Sequence, residues 1–203
     1  MKKHLLNFLF IIGFISNAQE NNVILIIADD LGTDYCSFYE NNTDVALTPN
    51  IQRLLKRGVR FTNAWSNPVC SPTRAGILTG RYSFRTGVGS PVGGINSVEI
   101  DIKETTLPNL LNSYKPNGIS KANIGKWHLS SPNPASNYSI PNRMGYDHYE
   151  GSFSGSLNSY NNWTKITNGT ASIVTNYATT ENVDNAINWI SKQDKNKPFF
   201  LWL

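Results

Sequence analysis

The first half of the chain alternates between apolar runs and segments with helical periodicity. Residues 23–28 form an unbroken, mostly β-branched run, which predicts a strand buried on both faces, as in a parallel sheet covered by helices. From Thr48 to Gly58 the apolar residues recur at helical spacing behind a proline, which predicts a helix ended by the glycine. Residues 59–64 follow directly and predict a short strand.

The second half repeats this alternation less regularly. Apolar positions at i, i+3, i+4 and i+7 predict a helix over 107–114 and another that starts near Thr180. Residues 119–124 and 198–203 predict strands, whereas 131–178 is rich in Asn, Ser, Pro and Gly and predicts long irregular loops. Strands that alternate with helices indicate an α/β layered fold. Because the last strand is of the buried kind, we expect a fold truncated on its C-terminal side.

The N-terminus has the pattern of a secretory signal peptide over residues 1–18. A positively charged start precedes an apolar stretch and the small-residue cleavage site Ser16-Asn17-Ala18, so the mature domain is predicted over 19–203. The apolar stretch is shorter than the ~20 residues of a membrane span, which argues against an uncleaved anchor. We therefore expect an exported protein, periplasmic or extracellular, without stable membrane insertion.

Composition and charge narrow the function classes. The chain has 203 residues, a net charge of +4 and a pI near 9.0. Its basic residues form no run, so we expect no nucleic-acid partner and only a weak attraction to anionic substrates. Its two cysteines, Cys36 and Cys70, could pair in an exported protein, but two cysteines do not make a disulfide framework.

Two adjacent carboxylates, Asp29 and Asp30, follow the first predicted strand. Ligands bind at the carboxyl ends of strands in open α/β sheets, and carboxylates are the ligands that hard cations such as Ca²⁺ and Mg²⁺ prefer. The same residues also suit a solvated turn before Gly32. The sequence alone leaves a cation site and a simple turn equally open.

A second chemical segment begins at Cys70. Ser71 and Pro72 are helix-opening residues and Gly80 can end a short helix, which places the thiol at a helix N-terminus. That position favours anions and lowers a thiol pKa. Arg74, one turn along, could reach the same anion. A lone cysteine is more often a small buried hydrophobe, but the surrounding pattern favours chemistry here.

Lys126 and His128 form a third candidate pair. They lie two residues apart after a predicted strand, so their side chains could point the same way. A cation and a titratable group there could neutralise an oxyanion and move a proton. The alternative is an exposed lysine and a histidine packed beside Trp127.

The order of these segments resembles the sulfatase family. Cys-x-Pro-x-Arg over 70–74, followed by Leu-Thr-Gly-Arg over 78–81, looks like the sulfatase signature. Four further segments resemble the family in the same order, namely 22–32, 48–51, 125–129 and 197–201. The resemblance implies an alkaline-phosphatase-like layered α/β fold with a mostly parallel sheet between helices, present here as its N-terminal portion.

The resemblance also implies a covalent mechanism. A maturation enzyme that reads Cys-x-Pro-x-Arg in the unfolded chain would oxidise Cys70 to a formylglycine aldehyde. Hydration gives a geminal diol; one hydroxyl attacks the sulfur of a sulfate ester, the alcohol leaves, and the other hydroxyl expels sulfate. Such catalysis divides one difficult displacement into two steps.

The remaining roles come from the same resemblance. A divalent cation, usually Ca²⁺, would bind Asp29, Asp30 and the oxygen of the modified cysteine, and would act as a Lewis acid. Arg74 would hold the formylglycine, Lys126 the sulfate and the diol, and His128 a diol hydroxyl. In the family the rest of the metal and sulfate site lies beyond this length, so we expect the isolated chain to bind metal weakly and to turn over poorly.

The implied function is therefore sulfuric ester hydrolysis, with sulfated carbohydrates as candidate substrates. Tyr146, Tyr149, Tyr160 and Trp163 lie in the predicted loops and could stack on a sugar ring or serve in ordinary packing. One alternative is a phosphonate or phosphate monoester hydrolase that uses the same formylglycine. Another is a non-catalytic, carbohydrate-binding remnant.

Overall fold

A computed structural model describes residues 21–39, 44–94 and 96–203. The signal peptide predicted over 1–18 lies outside the described residues. The strands are β1 Val23–Leu25, β2 Ser120–Ile124, β3 His148–Gly151, β4 Trp163–Thr167, β5 Thr170–Val174 and β6 Phe199–Trp202. The helices are α1 Pro49–Leu55, α2 Cys70–Thr79, α3 Ser83–Thr86, α4 Leu107–Tyr114, α5 Ile140–Arg143 and α6 Ala178–Ser191, with 3₁₀ turns at Thr33–Tyr35 and Ala135–Ser139.

The strands form one six-stranded sheet in the order β1-β6-β2-β3-β4-β5. The β1–β6, β6–β2 and β2–β3 pairs are parallel, and the β3–β4 and β4–β5 pairs are antiparallel. The predicted α/β architecture with a mostly parallel sheet is confirmed. No helix in the described ranges is long and apolar enough to cross a membrane.

The centre of the sheet is its most buried part. All four residues of β6 are buried, as are the last four residues of β2, so the strands predicted at 198–203 and 119–124 are confirmed. On one face Ala186 of α6 packs against Ala122 and Leu201. The larger hydrophobic cluster includes Trp127, as well as Trp202 from β6. These central strands end beside the candidate site.

The strand β1 differs from its prediction. It spans only three residues at the edge of the sheet, and Val23 and Ile24 are 52% and 47% exposed. The prediction of a strand buried on both faces is therefore wrong for the described residues. The cause is position, because a strand that pairs on one side only, here with β6, is covered less than a central strand.

The segment after β1 is also less covered than predicted. The helix α1 begins at Pro49 as expected, but it ends at Leu55 rather than at the predicted Gly58, and Leu54 on its apolar face is exposed. The strand predicted over 59–64 is absent; this segment is irregular, and Val59 and Phe61 are exposed. An apolar run becomes a strand only where a neighbouring strand pairs with it, and the structure places none there.

The two predicted downstream helices are present. The helix α4 has the predicted bounds, and the Thr106 hydroxyl caps it by accepting a hydrogen bond from the Asn109 backbone N–H at 3.3 Å. The helix α6 starts two residues before the predicted Thr180.

The region 131–178 was predicted as irregular loops, and this prediction is wrong. It contains β3, α5 and the β4–β5 hairpin. Asn168 and Gly169 form the two-residue turn of that hairpin, both with positive φ, as a type I′ turn requires. Lys165 fixes the hairpin, because its Nζ lies 2.8 Å from Glu150 of β3 and 2.7 Å from Glu181 of α6.

Candidate functional site

The helix α2 begins at Cys70, as the sequence predicts. Val69 before it is extended, and Gly80 after it adopts the left-handed conformation with φ 69°. Ser71 and Pro72 in its first turn are buried. The partly buried Cys70 therefore lies at the N-terminus of a ten-residue helix, where the free N–H groups favour an anion.

His128 contacts this cysteine directly. Its Nδ1 lies 3.0 Å from Cys70 Sγ, and its Nε2 lies 2.8 Å from the Val92 carbonyl oxygen. A carbonyl only accepts, so Nε2 carries the proton and Nδ1 accepts from residue 70. Burial, reinforced by the charges of Lys126 and Arg74, lowers the pKa of His128 below its ordinary value despite the Val92 hydrogen bond. The imidazole is thus held neutral, with its lone pair toward Cys70.

The Asp29 carboxylate contacts two positively charged side chains. The Lys126 ammonium donates a hydrogen bond to this carboxylate, and Arg74 Nη2 lies 3.8 Å away on the other oxygen. Partial burial acts to raise the pKa of Asp29, but the Lys126 hydrogen bond and the two positive charges outweigh it, and the pKa is lowered. Asp29 therefore stays ionised.

Arg74 is buried, with 4% of its surface exposed. Its Nη1 donates to the Lys126 carbonyl at 2.6 Å, and its guanidinium lies 5.9 Å from the centre of the Trp202 ring. The sequence suggested that this side chain could reach an anion at Cys70. In the structure Arg74 instead contacts Asp29, the Lys126 carbonyl and the Trp202 ring of β6.

Asp30 follows in a left-handed conformation with φ 58° and lines a pocket of about 470 Å³ with Asp29, Cys70 and Arg74. Two adjacent carboxylates opposite residue 70 fit a hard divalent cation in the kind of ligand they offer. They do not complete the shell of about 6–8 oxygens that Ca²⁺ prefers. Within the described ranges no group of three or more His, Cys, Asp or Glu side chains is positioned to hold a metal ion.

All six predicted residues thus meet in one place. The pocket itself takes in four of them, and Lys126 and His128 join it through their bonds to Asp29 and Cys70. The Sulfatase family model matches residues 21–203. The chain belongs to the sulfatase family. Sulfatases in general depend on a formylglycine and bind a divalent cation.

Individual sulfatases share much of this chain. Arylsulfatase D of Homo sapiens is 37% identical over 145 residues, which is 67% of this chain and 24% of that protein. The N-acetylglucosamine-6-O-sulfatase of Bacteroides thetaiotaomicron is 34% identical over 183 residues, which is 88% of this chain and 29% of that protein. The chain therefore spans about a quarter of the length of these relatives.

Solved structures support the fold. One structure, in complex with its substrate D-glucosamine-2-N,6-O-disulfate, superposes with a TM-score of 0.71 and 31% identity. The match covers 91% of this chain and 34% of the solved chain. The alkaline-phosphatase-like α/β fold expected from the sulfatase resemblance is confirmed.

The possible pairing of the two cysteines does not occur in this sulfatase chain. Cys36 is a buried free thiol whose Sγ lies 3.6 Å from the Gly32 carbonyl oxygen, and Cys70 is also free. The Cys70 thiol is therefore available for chemistry.

Sequence reasoning missed the loop behind the sulfatase site, residues 151–155. Its carbonyls accept hydrogen bonds from the backbone of Trp127 at 2.9 Å and of His128 at 3.0 Å. A Cβ at Gly151, which has φ 153°, would lie 2.0 Å from the Gly125 carbonyl oxygen, so the two backbones approach too closely for any side chain. Glycines after β2 and β3 were the signal that could have found this loop.

The aromatic candidates for sugar binding separate into two groups. Tyr146, Tyr149 and Trp163 are buried, so they pack within the fold. Tyr160 is exposed and lines a second pocket, of about 460 Å³, that also includes Asp29 and Lys126. Among these four residues, Tyr160 alone is exposed.

Proposed function

We propose that this chain carries the nucleophile side of a sulfuric ester hydrolase, with Cys70 as the precursor of its formylglycine. The observation that carries the proposal is the position of Cys70: it lies at the start of α2, 3.0 Å from a neutral His128 and on a pocket shared with Asp29, Asp30 and Arg74. Cations and an N-terminal helix dipole around one potential nucleophile suit an oxyanionic ester.

Each neighbouring side chain has a separate task in this mechanism. His128 Nδ1 faces residue 70 with its lone pair, so it accepts a proton from a hydroxyl there and can return it. The Lys126 ammonium neutralises charge that develops on the sulfate oxygens. Arg74 holds the Lys126 carbonyl and Asp29 in place, and so fixes both groups relative to the nucleophile.

Asp29 and Asp30 would hold the divalent cation, for which we propose Ca²⁺. When bound, this cation would supply Lewis acidity toward the sulfate oxygens. The hydrated aldehyde at residue 70 would supply the attacking hydroxyl. The further oxygen ligands would have to come from water, substrate or other groups, because the described lining of this pocket offers two carboxylates.

For the substrate we propose a sulfate ester carried on a sugar. Two comparisons point to this choice: a relative is named for N-acetylglucosamine 6-O-sulfate, and a similar structure was solved with D-glucosamine-2-N,6-O-disulfate. Tyr160 offers an exposed ring beside Lys126 for a sugar face. We also propose export, guided by the signal peptide over 1–18, and oxidation of Cys70 by a maturation enzyme before folding, since Ser71 and Arg74 are buried afterwards.

Mass spectrometry of the Cys70 peptide from the native host tests the first step. We expect an aldehyde in place of the thiol, and a Cys36→Ala variant is the matched control because it removes a thiol outside the pocket. The purified protein is then assayed on paired aryl sulfate and aryl phosphate esters. Cys70→Ala should abolish sulfate ester hydrolysis and Cys36→Ala should retain it.

Each alternative function predicts a different result in these assays. Preference for the phosphate ester would favour the phosphonate or phosphate hydrolase, and glycan binding without turnover despite a converted Cys70 would favour the non-catalytic remnant. A thiol that remains unconverted in the native host would refute the formylglycine mechanism.

A further inference from the structure

His128 has an unusual backbone conformation. Its φ is 53°, in the left-handed region, and the residue is 6% exposed. This conformation is unfavourable for a residue with a Cβ, so the surroundings of His128 must hold it there. The contacts that hold His128 in this conformation are separate from its contact with Cys70.

The buried hydroxyl of Ser71 is the first of these contacts. It donates to the His128 carbonyl oxygen at 2.7 Å and accepts from the Val92 backbone N–H at 3.0 Å. Val92 in turn accepts from His128 Nε2 at 2.8 Å. These three bonds form a closed circuit through both ends of His128, its carbonyl and its ring. Ser71 is wholly buried, so water cannot replace its hydroxyl.

Gly155 is the second contact. A Cβ built at Gly155 would lie 2.3 Å from His128 Cε1 and 2.6 Å from Nε2. Real Cβ atoms do not approach other atoms so closely, so any side chain at this position would displace the ring. The backbone at Gly155 thus lies directly against the imidazole, around its Cε1.

From these contacts we infer that Ser71 and Gly155 are positioning residues, which together fix the Nε2–H tautomer of His128 and aim Nδ1 at residue 70. Their effect on turnover rests on the proposed sulfatase function, whereas their effect on the imidazole does not. Position 71 is a variable position of Cys-x-Pro-x-Arg, so its substitution leaves the three residues that maturation would read unchanged.

The imidazole is measured first, in the full chain with Cys70 as the thiol. Nitrogen-15 spectra of the histidine rings, assigned with His128→Gln, should show one Nε2–H tautomer in the natural protein and in Ser71→Thr. We expect Ser71→Ala to populate both tautomers. The matched control is Thr106→Val, which removes an equally buried hydroxyl, at the start of α4, that donates to the Met144 carbonyl.

Turnover is measured second, per mole of formylglycine. Ser71→Ala should lower kcat by about tenfold or more while KM changes little, because proton transfer by a positioned group contributes about 10²–10⁴-fold. Ser71→Thr should restore most of the loss. A single Nε2–H tautomer in Ser71→Ala would overturn the inference, whatever happens to kcat.

A second pair of variants covers the case in which Ser71→Ala does not fold. Gly155→Ala should disturb the His128 signals and lower kcat, whereas Gly89→Ala, whose Cβ would meet nothing within 4 Å, should change neither. If Gly155→Ala and Gly89→Ala gave the same His128 signals and the same kcat, the role of Gly155 would be overturned. Thermal unfolding of every variant separates lost positioning from lost fold.

Discussion

The two sides of the pocket are built differently. On one side, Arg74 and His128 are almost fully buried and bond to the backbone of other elements. On the carboxylate side, Asp29 and Asp30 follow a three-residue edge strand, and the Asp29 side chain is 39% exposed. The fold therefore constrains Arg74 and His128 more tightly than the two carboxylates, for which we propose a role as cation ligands.

Replacement of Arg74 probes the buried side most strongly. Arg74→Met should lower the free energy of unfolding by about 2–3 kcal/mol, because it leaves the Lys126 carbonyl without the buried guanidinium that donates to it. Arg81→Met is the matched control, since its pair with Glu104 is half-exposed and should cost about 0–1 kcal/mol. Urea unfolding measures the free energy of unfolding of both variants. An equal decrease in the two would show that the buried contacts of Arg74 stabilise the protein no more than an exposed ion pair does.

Loss of the lysine charge tests catalysis on the same side. If the proposed function holds, Lys126→Met should lower kcat for an aryl sulfate by about 10²–10³-fold, the usual loss for one oxyanion contact. Lys165→Met removes a similarly buried lysine outside the pocket and should leave kcat nearly unchanged. A comparable loss in both variants would place the effect in folding rather than in the pocket.

Calcium addresses the carboxylate side. If Asp29 and Asp30 bind Ca²⁺, a 100-fold excess over Kd should stabilise the protein by about 2.7 kcal/mol, seen as a rise in Tm. Asp30→Asn should reduce this rise, and Asp101→Asn, on a surface turn, should not. An identical calcium response in Asp30→Asn would remove Asp30 from the ligand set.

The smallest expected effect is a pH dependence from His128. Its pKa is lower in the folded than in the unfolded protein, so it contributes stability that is present above the unfolded value of about 6.5 and is lost as pH falls toward the folded value. The midpoint of urea unfolding should therefore decrease below about pH 6.5. His128→Gln should flatten this decrease; a decrease of the same size in His128→Gln and in the natural protein would contradict the assignment.

The same contrast explains what the sequence could predict. Local signals predicted α4 by its apolar spacing, α2 with Gly80 at its end, and the central strands β2 and β6. The helix signals lie within the helices themselves, and the two apolar runs belong to strands that are paired on both sides. The six site residues were also predictable as members of short motifs. What the motifs could not show is which residues touch, such as His128 and Cys70, which lie 58 positions apart.

The errors have physical causes as well. The exposed β1 and the missing strand at 59–64 share apolar composition with β6, but only position in the sheet decides whether such a run is buried or paired. The hairpin β4–β5 had a usable signal in Asn168-Gly169, hidden by the polar residues around it. No signal pointed to the contacts of Ser71 and Gly155 with His128, because these contacts arise from close packing between distant segments.

The pairing of β1 with β6 determines the order in which the parts of the site form during synthesis. Beside this pair, the Phe199 backbone N–H donates a hydrogen bond to the Asn22 side chain, which lies 177 positions earlier in the chain. In the described ranges, β6 is the strand with which β1 pairs. At about 5–20 residues per second, synthesis of the roughly 130 residues after Cys70 takes roughly 6–26 s. During that interval Asp29 cannot take its final place, and Cys70 emerges in a chain whose sheet is still open. A ribosome that pauses late in this chain would lengthen the interval, and one that runs quickly would shorten it.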